Sequence, residues 1–153
     1  MIGNAHKIIR FLLGQKPEQE WKIEKHRRGR SLSQNALYWK LVGMVSAKTK
    51  VPVPVIHNRM LRDFGQMLYI DEQLATTYIP DTDEAEEQAL QAETFHIKPT
   101  SKVLYGSNGK LLRAYIILRG SSTYTTEEMS LLLDGIMQEC RQQDIKIEEI
   151  QYG

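Results

Sequence analysis

Apolar positions along this chain repeat with two different periods, and the switches between them divide it into elements. Ile8, Ile9, Leu12 and Leu13 share one face of a helix over residues 4–14, with Gly14 as its stop and Pro17 blocking continuation. Residues 20–26 alternate instead. Trp21 and Ile23 fall on one side and Lys22, Glu24 and His26 on the other, which predicts a half-exposed strand. A basic turn around Gly29 follows. Ser31 and Gln34 then stand at capping-box spacing, where the hydroxyl accepts the N3 N–H and the Gln amide reaches back to the cap N–H. The helix they open runs to about Lys48 and is expected to bury Leu32, Ala36, Trp39, Val42 and Val45. Pro52 breaks it, and Pro54 suits the first turn of the next helix, where a missing N–H costs nothing. Ile56, Met60 and Phe64 give that helix its apolar stripe, and Gly65 closes it.

Short extended pieces are expected from Met67 to Ile70 and from Thr76 to Ile79. Asp81 to Glu93 carries six carboxylates and no Lys or Arg, and reads as an exposed helix or a mobile segment. Val103–Tyr105 and Leu111–Leu118 flank Asn108-Gly109, the pair favoured in two-residue hairpin turns. The second of these runs is mostly apolar and reads as a central strand. Thr125 and Glu128 form another capping-box pair, followed by Met129, Leu132, Leu133, Ile136 and Cys140 at helical spacing. The fold class expected is α+β. It comprises a single domain of residues 1–153, with three main helices, a small mostly antiparallel sheet holding a hairpin at 103–118, and a C-terminal helix at 125–143.

Charge changes this picture more than composition does. The net charge of +1 hides a division. Residues 1–60 hold 12 Lys/Arg against 3 Asp/Glu, or +9, and residues 61–153 hold 8 against 16, or −8. Such asymmetry between halves points to nucleic acid as a partner. Five of the nine residues from Lys22 to Arg30 are Lys or Arg, and one is acidic. This run enters a helix N-terminus, where guanidinium groups and free backbone N–H groups can meet the same phosphate. Lys22, Lys25, His26, Arg27, Arg28 and Arg30 form the expected clamp.

Ser31, Gln34 and Asn35 position the clamp. The two amides either contact phosphate, sugar or base edges, or cap the helix and tie down the basic loop. Lys40 adds a further cation. Tyr38 lies off the apolar stripe and is the aromatic placed to stack on a base, whereas Trp21 and Trp39 lie on apolar faces and are expected in the core.

Other chemistry finds little footing. The single Cys140 cannot form an intramolecular disulfide, which fits a reducing cytoplasm, and no apolar run is long enough to span a membrane. His6, His26, His57 and His96 are dispersed in sequence, Asp81-x-Asp83 lacks the rest of a calcium loop, and no phosphate-binding glycine loop or nucleophile elbow is present. No metal, cofactor or catalytic residue is therefore expected.

Arg30-Ser31-Leu32-x-Gln34-Asn35-x-x-x-Trp39 resembles the signature of the NinB family of lambda Orf-like phage recombination proteins. Glu128-Met129-Ser130, Leu132-Leu133-Asp134 and Ile136 are similar to that family's late helix, and Ser121-Ser122-Thr123 to its Ser/Thr-rich entry. The two stretches cover about a third of the chain; residues 81–118 have no counterpart. The resemblance implies a phage- or prophage-encoded homodimer, not an enzyme, in the host cytoplasm. It would bind single-stranded DNA or its junction with duplex without sequence specificity, and help load a recombinase or annealing protein onto strands coated by single-strand-binding protein. Two other readings stay open on the residues alone: a module binding an acidic partner, such as a single-strand-binding protein, and a small nuclease whose carboxylates assemble only in the fold.

Overall fold

The structure, a computed structural model, describes residues 3–24 and 32–147. The first helix, α1 (Ala5–Leu13), begins where the Asn4 side chain accepts the Lys7 N–H at 3.0 Å, and ends at Gly14. It buries none of its residues. Residues 21–24 form no strand, and Lys25 and His26 lie outside the described residues. Alternation alone does not make a strand, because the backbone groups also need a neighbour, and both described sheets are built from residues after Met67.

Two helices follow, α2 (Leu32–Thr49) and α3 (Val53–Phe64). Pro52 caps α3, Pro54 sits in its first turn, and Gly65 stops it, its N–H donating to Leu61 O at 2.9 Å. Strands β1 (Tyr69–Ile70) and β2 (Gln73–Leu74) form a small hairpin. Both of its turn residues, Asp71 and Glu72, take positive φ, at 49° and 65°. Strand β3 (Thr76–Pro80) leads into α4 (Asp83–Gln91), which Thr82 caps by accepting the Ala85 N–H. Strands β4 (Ile97–Tyr105) and β5 (Leu111–Ile117) complete an antiparallel sheet of order β3-β5-β4, so β5 is central, as its apolar sequence predicts.

The β4–β5 turn departs from a two-residue loop. Tyr105 faces Leu111, Gly106 and Lys110 close the ladder, and Gly109 alone among the loop residues has positive φ, at 76°. This is the three-residue loop with a glycine in the left-handed position.

A short turn, Ser121–Thr123, precedes α5 (Thr126–Gln142). Both halves of the Thr125/Glu128 capping box form. The main core lies between α2, α3 and α5: Leu37, Tyr38, Leu41, Val42 and Val45 meet Met60, Leu61, Met129, Leu132, Leu133, Ile136 and Cys140. A second, smaller cluster joins Ala89 of α4 to Ile97 and Tyr115, with Ile79 and Ile117 beside it. Alternation along β5 sends Tyr115 and Ile117 to α4 and Ile116 to the helices. The α+β expectation holds: α1, α2 and α3 are the three main helices, α5 is the C-terminal one, and the acidic stretch adds α4.

The buried face of α2 is rotated from the expected one. Ala36 and Trp39 face outward, Leu37, Tyr38 and Leu41 inward, and Val42 and Val45 are buried as expected. One residue along a helix turns the face by about 100°, so a reading anchored on Trp39 misplaces the stripe.

Two glycines give opposite tests of this packing. A Cβ on Gly135 of α5 would overlap the Phe64 ring, whereas one on Gly43 of α2 meets nothing within 4 Å. Gly135→Ala should therefore cost about 1–3 kcal/mol by overpacking. Gly43→Ala should instead stabilise by up to about 1 kcal/mol through helix propensity. Urea denaturation of the two variants measures both signs.

Candidate nucleic-acid interface

The predicted interface residues divide into three groups. Lys25, His26, Arg27, Arg28, Arg30 and Ser31 lie outside the described residues. Lys22 and Lys40 are exposed, Lys22 in an ion pair with Glu24 at 2.6 Å. That pair is solvated on both sides and holds Lys22 only weakly. Asn35 is half-buried. Gln34 and Tyr38 are buried, and the structure corrects both as contact residues.

Gln34 is 3% exposed, and its amide donates to Ser130 Oγ on α5 at 3.0 Å. Ser130 Oγ in turn donates to Thr126 O. Gln34 therefore ties the first turn of α2 to α5 and cannot reach a surface ligand. This bond also joins the two stretches that carry the family resemblance, 96 residues apart in sequence.

Tyr38 is fully buried, so it cannot stack on a base. Its hydroxyl lies 2.6 Å from His57 Nδ1 on α3. Burial, and secondarily the nearby Tyr124, hold the phenol proton on far above its usual range. The neutral phenol and the imidazole Nδ1 thus share one hydrogen bond. The His96 ring meets His57 edge-on at 5.3 Å. His96 Nδ1 lies 2.6 Å from Asn58 Oδ1, while the Asn58 amide nitrogen donates to Leu90 O and Ala92 O. Those two bonds fix the amide, so its oxygen accepts and His96 Nδ1 carries the proton. The result is a buried polar seam that stitches α2 to α3 and α3 to the end of α4. The histidines are dispersed in sequence, but two of the four meet here; partners 19 and 38 residues apart leave no periodic signal to read.

The exposed aromatic on α2 is Trp39, 39% accessible, and its indole lies against His57 at 4.5 Å between ring centres. The expectation that Trp39 is core is thus reversed, and with it the roles of Tyr38 and Trp39. Trp39, Lys40 and Ala36 share the outer face of α2, with the polar seam behind the indole. Trp21 is also exposed, at 45%, and its only described ring partner is Phe11, edge-to-face at 5.3 Å.

The acidic stretch is a packed helix and not a mobile flap. Ala89 is buried, and Asn58 holds the carbonyls at its C-terminal end. Two of its six carboxylates turn inward. Asp81 takes a two-pronged contact from Arg113, and Glu86 pairs with Arg62 at 2.6 Å and accepts from the Tyr115 hydroxyl at 2.8 Å. Burial and that bond push the Tyr115 phenol up to about 12. Glu128 combines its capping role with a pair to Arg119, and the Arg119 hydrogen bond, then the Thr125 N–H, holds its carboxyl below the usual range.

These contacts decide where the charge asymmetry goes. Every described ion pair lies within one half of the chain: Lys22–Glu24 in the first, and Arg62–Glu86, Arg113–Asp81 and Arg119–Glu128 in the second. No described ion pair joins a cation of the basic half to a carboxylate of the acidic half. From Lys25 to Arg62 the sequence holds nine Lys/Arg and no Asp/Glu. Among the described residues no three His, Cys, Asp or Glu side chains come together as a metal site, and no helix is long and apolar enough to cross a membrane.

Compared with known proteins, the chain matches no family model, no curated protein and no solved structure.

The seam makes stability depend on pH. Burial, then the neighbouring His96, pushes His57 down from about 6.5 to about 4, and burial lowers His96 as well. The unfolded chain binds these protons first, so the stabilisation is complete above about pH 6.5 and declines toward pH 4. For His57 alone the loss is on the order of 3 kcal/mol. Urea denaturation across this window should show it, and His57→Gln should flatten the profile between pH 5 and 6.5. A wild-type profile already flat there would refute the assignment.

Proposed function

We propose that this protein binds single-stranded DNA, or its junction with duplex, without sequence specificity, and assists loading of a recombinase or annealing protein in phage recombination. The observation that carries the reading is the outer face of α2. An exposed Trp39 and Lys40 stand on the helix that the Lys22–Arg30 run enters, in a stretch with no carboxylate from Lys25 to Arg62. Cations neutralise phosphates whatever the sequence, and an indole stacks on any unpaired base, so together they favour single strands without a code. The resemblance of Arg30 to Trp39 to the NinB signature supports the same reading and supplies the recombination context.

Fluorescence anisotropy with labelled oligonucleotides tests it. If three or four cations meet phosphates, log affinity should fall with log salt at a slope of roughly −2 to −3, from about 0.7 per contact. Arg27→Ala/Arg28→Ala should weaken binding to all sequences alike and flatten that slope by about 1.4. Trp39→Ala should cost about 1–3 kcal/mol on single strands and little on duplex. Unchanged affinity in both variants would sink the interface. Retention of an acidic partner protein without any oligonucleotide binding would instead support the interaction-module reading.

A further inference from the structure

Helix α1 adds nothing to the core, yet its sequence is sharply two-sided. At about 100° per residue, Ile8, Ile9, Phe11, Leu12 and Leu13 spread over about 200° of its circumference, and His6, Lys7 and Arg10 gather within about 100° on the opposite side. None of its residues is buried, and none joins either core cluster. Ile9 is 56% and Leu13 82% exposed. An amphipathic helix of this kind has an apolar face that calls for a cover.

The helix is formed in advance of any partner. Asn4 caps its first turn by accepting the Lys7 N–H, and Gly14 closes its last. Phe11 meets Trp21 edge-to-face at 5.3 Å, and Trp21 and Ile23 are themselves exposed, so the apolar surface continues onto the segment after α1. The charge beside it has one sign. Lys7, Arg10 and Lys16 are exposed and enter no described ion pair, and no Asp or Glu occurs before Glu18.

We propose that α1 lies on an anionic lipid surface. Ile8, Ile9, Leu12 and Leu13 face the acyl chains, Trp21 sits at the headgroup level, and Lys7, Arg10 and Lys16 meet the lipid phosphates. Both faces of the helix choose this occupant. A nucleic acid would satisfy the cations and leave five apolar side chains in water. An apolar groove on a protein would cover those side chains and leave the cations idle. Anionic lipid offers phosphate above hydrocarbon, so a helix with opposed basic and apolar faces finds a match for each. The helix has 9 residues, about 14 Å of length, so it lies in the interface and does not cross a hydrocarbon core of about 30 Å. The proposal goes beyond the nucleic-acid reading and does not rest on it, because α1 lies outside the stretch from Lys22 to Lys40.

Co-sedimentation of the full chain with lipid vesicles tests it. The chain should bind phosphatidylcholine vesicles holding about 30% phosphatidylglycerol, and bind pure phosphatidylcholine about tenfold more weakly or worse, since each cation near an anionic surface strengthens binding about fivefold. Lys7→Glu/Arg10→Glu should weaken binding to the anionic vesicles by about tenfold or more. Ile9→Ser/Leu13→Ser should do the same by removing the apolar contact, and should leave oligonucleotide affinity unchanged. All four positions are exposed, and an unchanged urea transition shows that each variant is folded. Anionic vesicles bound as well by Ile9→Ser/Leu13→Ser as by the wild type would mean adsorption through the basic run, and overturn the proposal. So would a wild-type chain that stays in the supernatant at millimolar lipid, whether it is then monomeric or self-associates through Ile9 and Leu13. Vesicle binding without oligonucleotide binding would leave this proposal standing and overturn the DNA reading; the reverse result would overturn this proposal alone.

Discussion

The packing of α2 on α5 sets the rest of the structure. Leu37, Leu41 and Val45 meet a stripe of Leu132, Leu133 and Ile136 that is entirely out of solvent. With that face committed, the opposite face of α2 has no choice but to look outward, and it carries Trp39 and Lys40. The Gln34–Ser130 bond fixes the rotation at the end of α2 that the basic run enters. A hydrogen bond between two partly buried side chains contributes only about 1 kcal/mol net. Its consequence is geometric: it ties the first turn of α2 to Ser130 of α5, across the same interface that the apolar stripe closes.

The polar seam extends the same control to the third helix and to the sheet. Buried polar atoms are costly unless paired, so a satisfied chain from Tyr38 through His57, and from His96 through Asn58 to two backbone carbonyls, specifies one arrangement of α2, α3 and α4. It also supports the indole of Trp39 from behind. An aromatic that must hold its orientation while exposed needs such a backing, because an unsupported ring on a helix surface has rotamers to lose on contact. The acid sensitivity of the seam is the physical consequence of keeping two imidazoles neutral and dry.

What could be read from the sequence was local. The Thr125/Glu128 box, the Pro52–Pro54 start of α3 and the Gly65 stop each involve residues within a turn of one another, and each forms. The Asn108-Gly109 pair marked the turn but not its length, because the register of Tyr105 against Leu111 sets that. Helix α2 shows the limit of periodicity. Its apolar residues are dense enough that two neighbouring faces compete, and only α5, a hundred residues away, selects between them. Tyr38 and Trp39 exchanged roles for that reason alone. Asp81 and Glu86 were hidden inside a run of carboxylates by the same logic, since nothing near them in sequence announces Arg113, Arg62 or Tyr115.

The division of charge is where the sequence and the fold meet most directly. A chain with +9 in one part and −8 in the other could have folded by pairing them, and its surface would then have been bland. The described ion pairs do otherwise. Arg62, Arg113 and Arg119 neutralise carboxylates of their own half, and each also bonds a backbone carbonyl or sits beside one of the packed layers. The acidic half thereby becomes electrically self-contained in its interior, while α4 and the β1–β2 turn keep exposed carboxylates outside. Lys7, Arg10 and Lys40 are left without carboxylate partners among the described residues. Electrostatic energy that is not realised within a fold remains for association.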